Sequence, residues 1–277
     1  MKALKNKLDF VGLSLIIGTL ISISGLISLI PQEMYVARLT LLSFAKNLLP
    51  FIVLAHFFRQ PLRFKKPTKQ KIYLSDLLLF TVFAFVLCFS CNIVPNLISY
   101  AAGIDAHSSY IFNPLDYLAM ALIPAIIEEI AFRGFILGGF CEYGLKFAVL
   151  ISAIFFAMSH TSLTAVIYSF LCGIILACLY LKTNSLIACI AVHFLCNALT
   201  ITCGLFQDLY QDLYNVAIGV CIVISVMIFV ILKLRKKAIF PQEPQKSDIL
   251  LFKTTLTNPM IIILFAIEII NIVKMYL

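Results

Sequence analysis

This sequence contains no tryptophan and few charged residues. Only 12% of the 277 residues are charged, whereas 62% are hydrophobic, and the mean hydropathy is +1.05. Globular domains contain about 25% charged and about 45–50% apolar residues, so the composition excludes an ordinary soluble domain. Without Trp, aromatic belts at the membrane surfaces must come from the 11 Tyr and 24 Phe. The composition predicts an integral membrane protein.

Several motifs of hydrolases and of secreted or nucleotide-binding proteins are also missing. The sequence has no G-x-S-x-G nucleophile elbow, no H-E-x-x-H zinc helix and no P-loop. Its nine Cys nearly all lie in apolar segments, without the paired spacing of a disulfide framework. The net charge is +8, but the basic residues lie in loops between apolar runs. We therefore predict that they set membrane topology and that nucleic acid is not a partner.

The apolar runs divide the chain into membrane spans, because about 20 apolar residues cross a bilayer as a helix. They predict an all-α, polytopic transmembrane helical bundle of about eight or nine helices, forming a single integral membrane domain over residues 1–277. Residues 238–252, which include Pro241 and Pro244, are predicted to form a cytoplasmic linker. The predicted spans are 10–30, 36–58, 76–98, 115–140, 146–162, 164–181, 184–206, 213–232 and 257–276.

The basic residues fall mainly on one side of this arrangement. Lys and Arg cluster in 2–7, 59–71 and 233–237, whereas the loops 99–114 and 207–212 contain neither. Cytoplasmic loops of membrane proteins carry an excess of Lys and Arg. The distribution predicts a cytoplasmic N-terminus.

Three charged residues interrupt the apolar run 118–140, namely Glu128, Glu129 and Arg133. An ionised side chain at the centre of a membrane helix costs at least about 2.5 kcal/mol, so it usually has a paired or functional role. Residues four apart share a helix face, so Glu129 and Arg133 can pair, while Glu128 faces elsewhere. We predict that Glu128 is a general base. The alternative is that all three charges only hold helices together.

Two histidines and an asparagine lie on other apolar segments. His160 is at the tip of the short hairpin 146–182, which we predict to be buried in the bundle. His193 and Asn197 are four residues apart, so both point the same way from their helix. Together they can donate hydrogen bonds to an oxyanion. The alternative is a polar clamp between helices.

The set Glu128, His160, His193 and Asn197 suits the hydrolysis of an amide by water. A glutamate takes a proton from water, a histidine orients that water or protonates the leaving amine, and a His/Asn pair stabilises the tetrahedral intermediate. Alternatively, Glu128, His160 and His193 hold a catalytic zinc ion. Chelators would inhibit only the zinc enzyme. Two further buried charges, Lys46 and Glu268, receive no role from the sequence.

The order E-E-x-x-x-R, F-x-x-x-H and H-x-x-x-N, each on a separate apolar segment, resembles the CPBP intramembrane proteases, also called Abi or type II CAAX prenyl endopeptidase-like proteins. The resemblance covers approximately residues 115–206, which we take as the catalytic core. The matching residues are Glu128, Glu129, Arg133, Phe156, His160, His193 and Asn197.

This resemblance implies a glutamic endopeptidase that needs no metal or other cofactor. It assigns water activation to Glu128 and His160 and the oxyanion site to His193 and Asn197. Supporting roles fall to Glu129, Arg133 and Phe156.

The same resemblance implies a membrane-associated peptide or lipidated protein tail as substrate. Bacterial relatives are associated with bacteriocin self-immunity and peptide maturation, so the expected location is a bacterial plasma membrane, crossed several times. The oligomeric state stays open.

Two other functions compete with proteolysis. The first is a non-catalytic scaffold or immunity protein that binds a peptide or an envelope protein. The second is a proton-coupled transporter that uses Glu128, Glu129 and Glu268, but it leaves His193 and Asn197 unexplained.

Overall fold

The described part of the chain is mainly helical. The computed structural model describes residues 1–58, 73–91, 93, 113–160, 162–209, 211–234 and 248–276, and every regular element in these ranges is helical. The predicted all-α helical bundle is confirmed. The helices are α1 (Lys2–Ile23), α2 (Tyr35–Asn47), α3 (Leu49–Phe58), α4 (Leu74–Ser90), α5 (117–140), α6 (Leu145–Met158), α7 (Leu163–Thr183), α8 (Leu186–Leu209), α9 (Gln211–Leu234), α10 (Asp248–Leu256) and α11 (Pro259–Tyr276).

Several of these helices are apolar and long enough to cross a bilayer. Together with the composition, they indicate a multi-pass membrane protein. Four such stretches are found in the described part of the chain, and a bent helix pair makes a fifth if it is counted as one span. The four are Lys2–Ile23, Gln32–Ala55, Ala165–Thr183 and Leu186–Leu205, and the bent pair is Ile249–Leu256 with Pro259–Lys274.

The helix ends differ from the predicted spans at two places. The first helix ends at Ile23 instead of residue 30, because Gly25 adopts a positive φ of 70° and redirects the chain into a short 3-10 turn, Leu26–Leu29. The predicted linker 238–252 is wrong over 248–252, which are helical in α10. Its first ten residues, 238–247, lie outside the described residues.

A bend of 65° separates α10 from α11. Pro259 begins the second helix, a position where its missing N–H costs little. The side chain of Asn258 accepts a hydrogen bond from the backbone N–H of Ile261 at 3.2 Å and donates to Asp9 at 2.7 Å. Asn258 thus caps α11 and ties the bend to α1.

The hairpin of α6 and α7 has unequal arms of 14 and 21 residues, whereas the sequence predicts two short helices. Because a helix rises 1.5 Å per residue, the 14 residues of α6 extend about 21 Å, less than the roughly 30 Å of a hydrocarbon core. The two helices pack closely at Gly173, where an added Cβ would lie 3.0 Å from the Ala153 Cα. The 21 residues of α7 extend about 32 Å, enough to cross a bilayer.

One hydrophobic cluster joins most of the bundle. It includes fully buried side chains of α1, α5, α6, α7 and α8, among them Leu8, Phe132, Phe155, Leu176 and Val192. A smaller cluster packs α4 against α9. The most buried polar side chains described below, Glu129, Arg133 and His193, lie on helices that contribute to the larger cluster, and burying a polar group costs free energy unless it is hydrogen-bonded.

The predicted orientation in the membrane stays a prediction. Most residues of the basic stretches 59–71 and 233–237, and the loop 99–114, lie outside the described residues.

Candidate active site

The two adjacent glutamates lie at a change of helical geometry in α5. This helix consists of a π-helical segment Tyr117–Leu122, an α-helical segment Ile123–Glu129, a second π-helical segment Ile130–Leu137 and a final turn Gly138–Phe140. Pro124 has no N–H to donate, so the backbone hydrogen-bond pattern is interrupted close to the first change. Segments of π-helix frequently occur at functional sites. Glu128 and Glu129 end the α-helical segment.

Glu129 and Arg133 form a fully buried ion pair, as their spacing predicts. The Arg133 Nη1 donates to Glu129 Oε1 at 2.8 Å, and both side chains are 0% exposed. The other terminal nitrogen of the guanidinium donates to the carbonyl of Gly173 at 3.3 Å. Its central carbon lies 4.5 Å from the centre of the Phe156 ring, a cation–π distance. Arg133 therefore connects α5 to both helices of the hairpin.

His193 is held between the two glutamates. Its Nδ1 lies 2.8 Å from Glu129 Oε1, the same oxygen that Arg133 contacts. Its Nε2 lies 3.8 Å from Glu128 Oε2. A carboxylate on one ring nitrogen fixes the orientation of the other. Glu129 thus directs the Nε2 of His193 at Glu128, an arrangement that the sequence did not predict.

Glu128 has longer contacts than Glu129. Besides His193, its partner is Asn47 at the end of α2, whose Nδ2 donates to Glu128 Oε1 at 3.4 Å. The Glu128 side chain is 12% exposed, whereas the Glu129 side chain is 0% exposed. Catalytic hydrogen bonds are often long in proteins without substrate. Of the two glutamates, Glu128 has the longer contacts and the greater exposure.

His160 lies beside the same aromatic ring as His193. It follows the end of α6 and is half-buried, not in bulk water. The Phe156 ring makes edge-to-face contacts with both imidazoles, at 5.2 Å from His160 and 5.6 Å from His193. The His160 Nδ1 lies 2.9 Å from the Phe156 carbonyl oxygen. A neutral imidazole that donates through Nδ1 has its lone pair on Nε2, so Nε2 can accept a proton.

Asn197 is oriented by a tyrosine. It lies one turn beyond His193 on α8, and its Oδ1 accepts a hydrogen bond from the Tyr168 hydroxyl at 3.0 Å. A carboxamide has one acceptor oxygen and one donor nitrogen. Because Tyr168 occupies the oxygen, the Nδ2 of Asn197 is the group left to donate to a substrate.

The comparison with protein families falls on the same residues. Residues 110–199 match the family model described as Type II CAAX prenyl endopeptidase Rce1-like. This segment is similar to the Rce1-like family. The match includes all seven residues of the three motifs and confirms the family resemblance seen in the sequence. At the level of the family, it indicates a CAAX-type intramembrane protease.

The match leaves out residues that contact the Rce1-like site from outside. It covers about a third of the 277 residues and overlaps the predicted core 115–206. Lys46, Asn47 and Glu268 lie beyond its ends. No match was found among the curated proteins or the solved structures.

Two contact residues were missed in the sequence, Asn47 and Tyr168. Asn47 follows Lys46 in an otherwise apolar run, and two adjacent polar residues at that depth were a usable signal. Tyr168 had no comparable signal, because tyrosine is ordinary in a membrane helix.

The zinc alternative depends on three ligands that meet at one point. Within the described ranges, no three or more His, Cys, Asp or Glu side chains are grouped so that they could hold a metal ion. The metal-independent chemistry implied by the family resemblance stays a prediction.

Proposed function

We propose that this protein is an intramembrane endopeptidase that cleaves a peptide bond in a membrane-associated peptide or lipidated protein tail. One observation carries the proposal. His193 lies between a fully buried glutamate at 2.8 Å and the more accessible Glu128 at 3.8 Å, inside a segment that matches the CAAX endopeptidase family. A purely structural ion-pair network does not need a second glutamate that stays partly open.

The proposed reaction begins with water bound near Glu128. Glu128 accepts a proton, the oxygen of the water forms a bond to the peptide carbonyl carbon, and the electron pair of the C=O bond moves to the carbonyl oxygen. When this tetrahedral intermediate collapses, the C=O bond re-forms, the C–N bond breaks, and the leaving nitrogen takes the proton that Glu128 received from water, either directly or after transfer through the Nε2 of His160. General acid–base steps of this kind contribute about 10²–10⁴-fold each.

The developing oxyanion needs hydrogen-bond donors. The Nδ2 of Asn197 is available for this purpose, since Tyr168 occupies the amide oxygen. His193 can donate through Nε2 only if both ring nitrogens carry protons, because Nδ1 already faces Glu129. The adjacent Glu129 balances the charge of that imidazolium form. Arg133 and Phe156 hold Glu129 and the two imidazoles in place.

The proposed setting is the bacterial plasma membrane, with peptide maturation, bacteriocin self-immunity or CAAX-type processing as the biological role. The chain would work without a metal or cofactor, and its partners would be the lipid bilayer and a peptide or protein substrate. These assignments rest on the family resemblance.

The test compares peptide profiles of cells that carry the wild-type protein, Glu128→Gln or His193→Ala at matched membrane levels. Glu33→Gln is the matched control, because it makes the same chemical change at an exposed carboxylate outside the site. We expect a cleavage product that is present in wild-type and control cells and absent in both site variants.

Two further results would redirect the interpretation. If the profiles are identical while the biological phenotype persists in both site variants, the protein is a scaffold or immunity protein. If a chelator abolishes cleavage in isolated membranes and added zinc restores it, the zinc alternative replaces metal-independent hydrolysis.

A further inference from the structure

Two adjacent polar residues end α2 and reach different parts of the candidate active site. The Lys46 ammonium donates to the backbone carbonyl of Ser159, and the Asn47 amide donates to Glu128 Oε1 at 3.4 Å. The helix ends at Asn47, and Leu48 departs from helical geometry with φ −121°. The break sets the direction in which both side chains leave the helix.

The Lys46 contact bears directly on His160. The carbonyl of Ser159 and the backbone nitrogen of His160 belong to the same planar peptide group. A hydrogen bond that holds this carbonyl therefore also holds the backbone nitrogen of His160. His160 follows the end of α6 at Met158, and α7 begins at Leu163. A charged donor forms a stronger hydrogen bond to a carbonyl than a neutral one. Lys46 therefore restrains the backbone of the hairpin tip.

Two features restrain Lys46, namely the close packing of its backbone against α1 and the electrostatic interactions of its ammonium group. A Cβ added to Gly18 would lie 2.1 Å from the Lys46 carbonyl oxygen, so only glycine on α1 allows this close approach. Its ammonium interacts electrostatically with Glu268 and Glu128. Glu268 is 1% exposed on α11 and accepts a hydrogen bond from Thr19 on α1. The two charges that had no role in the sequence analysis thus belong to one arrangement.

We propose that Lys46 and Asn47 are positioning residues of the protease, which hold His160 and Glu128 in place from outside the family-matched segment. The proposal rests on the proposed function and extends it to the N-terminal part of the chain. Lys46 acts through the Ser159 carbonyl on His160, whereas Asn47 acts on the carboxylate of Glu128. Substitutions of Lys46 and Asn47 should therefore have different effects, with only the Lys46 variant changing the exposure of His160.

The first test needs no substrate. Full-length protein in lipid nanodiscs is treated with diethyl pyrocarbonate, a small imidazole reagent, and modification of each histidine is followed by mass spectrometry. Lys46→Met keeps the length of the side chain and removes its charge and donor. Lys274→Met is the matched control, on an exposed lysine of α11.

We expect a several-fold faster modification of His160 in Lys46→Met, wild-type rates in Lys274→Met, and recovery towards the wild-type rate in Lys46→Arg, which restores a charged donor. His193, at 2% exposure, reports on the intact bundle and should stay protected throughout. An unchanged His160 rate overturns the assignment. An equal rise at His193 also overturns it, because Lys46 would then stabilise the whole bundle.

The second test uses the peptide lost in Glu128→Gln cells. A displacement of about 1 Å at a catalytic group can cost roughly 10²-fold in rate, so we expect Lys46→Met to lower kcat by about ten- to a hundredfold with KM nearly unchanged. Asn47→Leu should lower kcat by about tenfold without faster His160 modification. Wild-type kcat in both variants overturns the proposal and leaves the protease assignment intact, whereas absence of cleavage by the wild-type protein overturns only the proposed function.

Discussion

The two adjacent glutamates of α5 differ in their contact distances and in their exposure. On the side of Arg133, Glu129 has two contacts of 2.8 Å and no exposed surface. On the side of Asn47, Glu128 has contacts of 3.4 and 3.8 Å and a side chain that is 12% exposed. The residues are neighbours in sequence, yet one oxygen of Glu129 accepts two short contacts, from Arg133 and His193, whereas the contacts of Glu128 are all longer.

Under the proposed function, this difference assigns a structural role to Glu129 and the role of general base to Glu128. A buried carboxylate whose bonds are short and paired is held in one state and one position. A carboxylate with longer contacts keeps lone pairs for water or substrate. Variants on the two sides should therefore affect different measured quantities, stability on one and turnover on the other.

The largest expected effect is on turnover at Glu128. Glu128→Gln removes the proposed base and should lower kcat by about 10²–10⁴-fold, while the unfolding temperature of the protein in nanodiscs stays close to the wild-type value. Glu33→Gln should match the wild type in both measurements. A Glu128→Gln variant that cleaves normally would contradict the proposed division between the two sides.

The next effect is on stability at Arg133. Arg133→Met leaves the fully buried Glu129 without its cation, and removing one partner of a buried pair costs about 3–5 kcal/mol. We expect a lower folded yield and a lower unfolding temperature. The control is Lys7→Met, which breaks the more exposed Lys7–Glu142 pair and should cost about 1 kcal/mol or less. Equal losses in the two variants would show that burial does not distinguish these pairs.

A smaller effect is expected at the oxyanion site. Asn197→Leu has a similar size and no donor, and loss of one oxyanion donor costs about 10²–10³-fold in kcat. KM should change little, because the donor acts on the transition state. Asn215→Leu, on an exposed position of α9, is the control. If KM rises and kcat holds, Asn197 binds substrate and does not stabilise the oxyanion.

The smallest effect concerns the hydroxyl that orients Asn197. Tyr168→Phe removes a single hydrogen bond, worth about 0.5–1.5 kcal/mol, so kcat should fall by about tenfold at most. The exposed Tyr73→Phe serves as the control. In the double variant with Asn197→Leu, the Tyr168 change should add nothing. An additive effect would mean that Tyr168 acts by another route.

Much of the site could be read from spacing. The pair of Glu129 with Arg133 followed from the i, i+4 rule, and the shared direction of His193 and Asn197 did too. The short helix α6 also followed from the length of the hairpin, since 37 residues between Lys146 and Lys182 must hold two helices and a turn. The reason in each case is that a helix converts sequence separation directly into geometry.

Contacts between helices could not be read in this way. The bond of His193 to Glu129 joins residues 64 apart, and the bond of Lys46 to Ser159 joins residues 113 apart. The sequence therefore offered Lys46 and Glu268 as charges with no role. It also placed a linker over 248–252, where the prolines before it suggested a loop but the chain is already helical in α10.

The sequence by itself determined the membrane class, the helical architecture and the residue types of the site, because hydrophobicity and helical period act locally. Only the tertiary structure decided which glutamate has the short contacts, how Phe156 contacts both imidazoles, and that α2 reaches the site through Lys46 and Asn47. These features depend on how helices pack and cross. In an apolar bundle a buried polar group costs free energy unless it is hydrogen-bonded, so the packing decides which of these groups find partners.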